Sequence, residues 1–128
     1  MSGASEALAG AAMAALDAVA ELNGAYEGAP LQAAFPHAIV EAGPERDWSH
    51  KSGEGRELRL AVTLRDKGER PARIRRLADM AEAALGGMPV ALDGWRLVTF
   101  VVLRSHLLRS NDAAWSAVIE YRARMLKE

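Results

Sequence analysis

The sequence has no cysteine, which excludes a disulfide framework and any thiolate metal site and suits a reducing compartment. It also lacks an excess of charge of one sign. Sixteen basic residues against seventeen acidic ones leave a net charge of −1, so the overall field of a dedicated DNA binder is missing. No stretch approaches the roughly 20 strongly apolar residues needed to span a bilayer, so no membrane partner is expected. The apolar N-terminal run ALAGAAMAALDAVAEL has no basic region before it and contains Asp17 and Glu21, and it reads as mature protein rather than a signal peptide. Aromatics make up only 5% of a chain that is 50% hydrophobic, so each tryptophan is a landmark. What remains is one domain of ordinary size, residues 1 to 128, able to hide roughly two-thirds of its unfolded surface in a single core. There is no internal repeat.

Periodicity divides the chain into elements. Leu8, Ala12, Ala15, Leu16, Val19 and Leu22 recur at helical spacing, which predicts a helix over residues 5–22 with Ser5 as N-cap and Asn23-Gly24 as stop. A loop rich in glycine and proline follows, with Leu31 and Phe35 expected in the core. Residues 37–42 read as a short strand opened by Pro36. At 56–65, Leu58, Leu60, Val62 and Leu64 alternate with Glu57, Arg59, Thr63 and Arg65, the period of two of a sheet with one wet face. A second helix begins at Pro71, carries the stripe Ile74, Leu77, Ala78, Ala81, Ala84 and Leu85, and stops at Gly86-Gly87. Residues 95–108 are apolar on both faces, a pattern of strands that are central or covered by a helix or a neighbouring subunit. Residues 114–125 alternate again, joined to the preceding strand by a hairpin at RSND. The expected fold class is α+β: a four-stranded, mainly antiparallel sheet with two helices packed on one face, in the order α-β-β-α-β-β.

The residues that could carry chemistry do not assemble into a motif. His37, His50 and His106 are scattered, none with a second histidine at ligand spacing, and read as structural or surface residues. Ser49 and Ser52 lack the GxSxG setting of a nucleophile, and KSGEG lacks both the spacing and the following helix of a phosphate loop. Glu54 and Glu57 sit at the most polar point of the chain and read as solvated. The expectation is no catalytic residue, no cofactor and no metal.

Three segments carry a resemblance. They are the Phe35-Pro36 opening, the loop Asp47-Trp48-Ser49 with Lys51 and Gly55, and the run Leu92-Asp93-Gly94-Trp95-Arg96-Leu97. With them, nearly the whole chain resembles the small tail terminator, or tail completion, proteins of long-tailed phages and related bacterial gene transfer agents. It departs from them at Thr63–Asp66, where an aromatic is common, and at NDAAW, where a glycine is common. The resemblance implies a virion structural protein made in the bacterial cytoplasm. It further implies a homo-hexameric ring that caps the tail tube at its head-proximal end, ends tube polymerisation and joins the tail to the head-connector or stopper protein at the neck. DNA would pass through the lumen without specific binding.

The resemblance makes the loop from Gly43 to Gly55 a subunit or ring contact. The interface candidates are Arg46, Asp47, Trp48, Ser49, Lys51 and Glu54 in or beside that loop, Arg73 and Arg76 on the second helix, and Arg122 and Arg124 on the last strand. Tryptophan and arginine are characteristic interface anchors. The competing role for Trp48 is to fold back on its own core. Other readings stay open: a different head–tail joining protein, a small hydrolase using His37 or His50 with Glu54, and a nucleic-acid-binding module using Arg73, Arg75 and Arg76.

Overall fold

A computed structural model describes residues 3–128. Helix α1 spans Ala4–Asp17, strand β1 Ala25–Glu27, β2 His37–Asp47, β3 Gly55–Lys67, helix α2 Ala72–Gly86, β4 Ala91–Leu92, β5 Trp95–Arg109 and β6 Ala114–Lys127. The strands form one six-stranded sheet in the order β1-β2-β3-β6-β5-β4. The β1–β2 pair is parallel and the other pairs are antiparallel. The sheet is therefore mixed and six-stranded, and the expected four-stranded, mainly antiparallel sheet is wrong.

Both added strands are short. Strand β1 pairs Ala25, Tyr26 and Glu27 with Ala38, Ile39 and Val40, and three residues are too few to show an alternation. Strand β4 turns into β5 through Asp93 and Gly94, whose φ values of 45° and 88° are the two left-handed positions of a type I′ hairpin. Asp-Gly is a favoured sequence for that turn, so this hairpin had a signal in the sequence.

The core follows from the alternation in β3. Leu58, Leu60, Val62 and Leu64 pair across to Ala123, Tyr121, Ile119 and Ala117, placing all eight side chains on one face. Leu8 and Leu16 of α1 and Ile74, Leu77 and Leu85 of α2 join them in one buried cluster. The opposite face carries Glu57, Arg59, Thr63 and Arg65 opposite Arg124, Arg122, Val118 and Ser116.

Other boundaries shift for identifiable reasons. Helix α1 stops at Asp17 rather than at 22, and Ser5 lies inside its first turn, with Gly3 in the cap position. Val19 remains buried beyond the helix end, so the apolar spacing outlasts the helix itself. Strand β2 runs on to Asp47 through an irregularity between Ala42 and Glu45, where Gly43-Pro44 interrupts the ladder. Leu31 is fully exposed at 103%, not in the core. Phe35 is half-buried, with Lys67 Nζ 5.3 Å and the Arg65 guanidinium 6.0 Å from its ring centre.

Candidate functional site

Strand β5 is not a central strand. Beyond Leu97, whose N–H donates to the Val90 carbonyl, no strand among the described residues pairs with it on the side away from β6. Its pairing with β6, continuous to Arg109, is irregular at Leu97/Thr99 and Val102/Arg104. Neither helix packs substantially on it, and Val98, Val101, Val102, Leu103 and Leu108 are between 39% and 49% exposed. Long apolar edges of this kind are normally blunted or covered, because they template association. A period-two pattern cannot distinguish a strand covered by its own chain from one left for another molecule. Between α2 and the end of β5 lies a cleft of about 340 Å³, with Ala78, Leu107, Ala117 and Ile119 in its walls beside Arg75, Asp79, Glu82 and His106.

The loop after β2 is an ordered extension of the β2–β3 hairpin. The Trp48 N–H donates to the Gly55 carbonyl at 2.8 Å, and His50 and Gly53 close a further bridge. A Cβ at Gly55 would press into the Trp48 carbonyl and lie 2.9 Å from Leu126, so the turn requires glycine for close approach. Ser49 donates to Asp47 at 2.6 Å and accepts from the Gly55 N–H at 3.1 Å. Lys51 is exposed in the turn, and Glu54 pairs with Lys127 at 3.4 Å. Trp48 is half-buried. Its ring meets His50 edge-on at 4.5 Å, and the Arg124 guanidinium lies 5.5 Å from its centre.

Beneath this loop is a charged cluster drawn from three strands. Glu57 is buried, which corrects its reading as a solvated carboxylate. Arg124 Nε donates to it at 2.8 Å and Arg46 Nε at 2.7 Å. Those two hydrogen bonds, Arg124's first, hold its carboxyl below the usual range despite the opposing cost of burial. The register explains the grouping: Glu57 pairs with Arg46 on one side and Arg124 on the other. Trp48, Arg46, Arg124, Asp47, Ser49 and Glu54 thus lie around one corner of the sheet. Arg122, two residues along β6, is half-buried and its Nε has no partner among the described residues.

The α2 candidates lie elsewhere. Arg73 grips Asp66 through Nε at 2.7 Å and Nη2 at 2.5 Å, tying the start of α2 to the end of β3. Arg76 pairs with Glu21. Two of the three arginines proposed for nucleic acid are therefore engaged by carboxylates within the chain. The histidines also separate: His37 is buried at the start of β2, its Nδ1 3.2 Å from the Ala34 carbonyl oxygen, while His50 meets Trp48 edge-on beyond the far end of that strand. Burial lowers the His37 pKa, outweighing its backbone hydrogen bond.

A search of curated proteins returned no match. Among solved structures, a chain in the virion of a native gene transfer agent particle is similar in fold. Its TM-score is 0.59 and its identity 24%, over 87% of this chain and 84% of that one. The family model described as tail completion protein gp17 matches residues 5–126. That match spans both the corner around Trp48 and the open strand β5, and by it the chain belongs to the tail completion family, a virion structural protein of the tail.

Proposed function

We propose that this tail completion protein acts as a closed, homo-hexameric ring seated on the head-proximal end of the tail tube. There it ends tube polymerisation and presents the surface that joins the head-connector or stopper protein. DNA passes through its lumen without sequence-specific contact, and the protein performs no catalysis. The observation that supports a ring best is the apolar β5 edge, uncovered from residue 98 to 109. Such an edge is a poor surface for a monomer and a good one for a permanent neighbour. The corner formed by Arg46, Asp47, Trp48, Ser49, Lys51 and Glu54, with Arg122 and Arg124 on β6, is the second contact surface. It combines a half-buried aromatic with arginine, which suits an interface anchor. Arg73 and Arg76 on α2 are a separate candidate contact, within the limits of their pairs to Asp66 and Glu21.

The test is genetic and visual. Particles produced without the chain are expected to show tails of irregular length, or tails detached from heads, in electron micrographs, and wild-type protein is expected to restore them. Tails of normal length attached to full heads in its absence would refute the reading.

A further inference from the structure

The sheet ends in two open edges of opposite character. One is β5 from residue 98 to 109, apolar and carrying Arg104, which also pairs with Glu120 of β6, and Arg109. The other is β2 from Glu41 to Asp47, left open because β1 covers only Ala38–Val40 and carrying Glu41, Glu45 and Asp47 with one cation, Arg46, which is bonded to Glu57. These lie towards opposite ends of the strand order. Resting on the ring reading above, we propose that the β5 edge of each copy docks on the β2 edge of the next copy, so that the ring is a sheet continued from subunit to subunit.

Charge and register select this pairing over the alternatives. Two β5 edges face to face would bring Arg104 and Arg109 against their own kind, and two β2 edges would oppose an excess of carboxylates, arrangements that disfavour strand pairing. A β5-to-β2 contact sets cations against carboxylates. It also uses different surfaces on the two copies, the heterologous arrangement from which closed rings are built. Within one chain, Glu41 is level with Ala61 of β3, Glu120 of β6 and Arg104 of β5, and Asp47 is level with Arg56, Met125 and Leu97. Copies standing side by side at one height therefore set Glu41–Asp47 antiparallel to residues 97–104, with Glu41 level with Arg104. Pro44 has no N–H and the ladder is irregular between Ala42 and Glu45, so backbone pairing is confined to the residues flanking that break. Side chains carry the rest. The apolar side chain of Leu31 stands fully exposed in the connection leading into β2.

The absence of cysteine makes the test clean. Arg104→Cys and Glu41→Cys, the two positions this register sets level, are placed together in one chain and separately in two others, and particles carrying each are treated with a mild oxidant. Both positions are exposed, and the Arg104–Glu120 pair lost with one of them lies at the surface, so melting temperatures are expected to change little. The double variant is expected to give a ladder of covalent multimers ending in a closed species, because a disulfide forms only where the Cα atoms approach within about 7 Å. The single variants are expected to remain monomeric on denaturing gels. Dimers from Arg104→Cys alone would show a symmetric contact and overturn the inference. An absent ladder in particles whose micrographs show the ring would overturn this contact while leaving the ring intact, and absence of a ring altogether would overturn both.

Discussion

Replacing Trp48 by alanine separates two roles for the loop, and the contacts fix the expected size of the effect. The ring is half-buried, so its lost apolar burial is worth about 1 kcal/mol. The guanidinium of Arg124, 5.5 Å from the ring centre, adds about 0.5 kcal/mol at a partly exposed site. The edge-on contact with His50 at 4.5 Å adds about 0.5 kcal/mol more. The sum is about 2 kcal/mol, or a fall in Tm of roughly 8 °C for a domain of this size. Trp95 provides the internal standard. It is only 4% exposed within the core cluster, and Trp95→Ala is expected to cost about 3–5 kcal/mol, a fall of roughly 12–20 °C. Thermal unfolding followed by circular dichroism measures both. If Trp48 is also an anchor between copies, a further loss of about 2 kcal/mol at the interface weakens association about 30-fold. Folded Trp48→Ala protein would then enter particles poorly. A Tm loss equal to that of Trp95→Ala would refute the placement of Trp48 outside the core, and full incorporation into particles would refute its contact role.

The Tyr121 hydroxyl is buried without a hydrogen-bond partner among the described residues, and burial, followed by Glu82, raises its pKa; Tyr121→Phe is therefore expected to leave Tm unchanged or raise it, by up to about 1 kcal/mol of stability, whereas a clear fall would mean the hydroxyl is bonded. Gly55→Ala forces a methyl group against the Trp48 carbonyl and Leu126 and is expected to cost about 1–3 kcal/mol in chemical denaturation, while an unchanged midpoint would contradict the close approach. Because the folded His37 pKa lies below its ordinary value of 6.5, the unfolded chain binds more protons as pH falls through that value, so stability is retained above it and declines below it. Glu57 adds a second loss below about 4.5, where its depressed carboxyl no longer favours the folded state. His37→Gln is expected to flatten the upper step of a Tm-against-pH curve and leave the lower one, and an identical upper step in the variant would contradict the assignment.

The sequence shows an element clearly where one residue's neighbours decide its fate. Strand β3 was legible because Leu58, Leu60, Val62 and Leu64 alternate with polar residues, and α2 because Ile74, Leu77, Ala81 and Leu85 repeat at helical spacing and all four are buried. Strand β1 left no trace, since its three residues are held by backbone pairing to β2 rather than by pattern. Asp93-Gly94 did carry a hairpin signal, and the two-residue strand before it was too short for periodicity to support. The charged corner was hidden for another reason. Glu57 and Arg124 are 67 residues apart and meet through strand register, which composition cannot reveal. Strand β5 shows the deepest ambiguity: Val98, Val101, Val102 and Leu103 would read the same beneath a helix or beneath another subunit.

A cryo-electron microscopy reconstruction of intact particles, resolved at the junction between tail and head, tests the central claim most directly. The ring account predicts a single closed ring of this chain at the head-proximal end of the tube, with residues 98–109 of each copy covered by its neighbour. Density showing the chain as an isolated monomer, located away from the tail and neck, or with β5 facing solvent in the assembled particle, would contradict it.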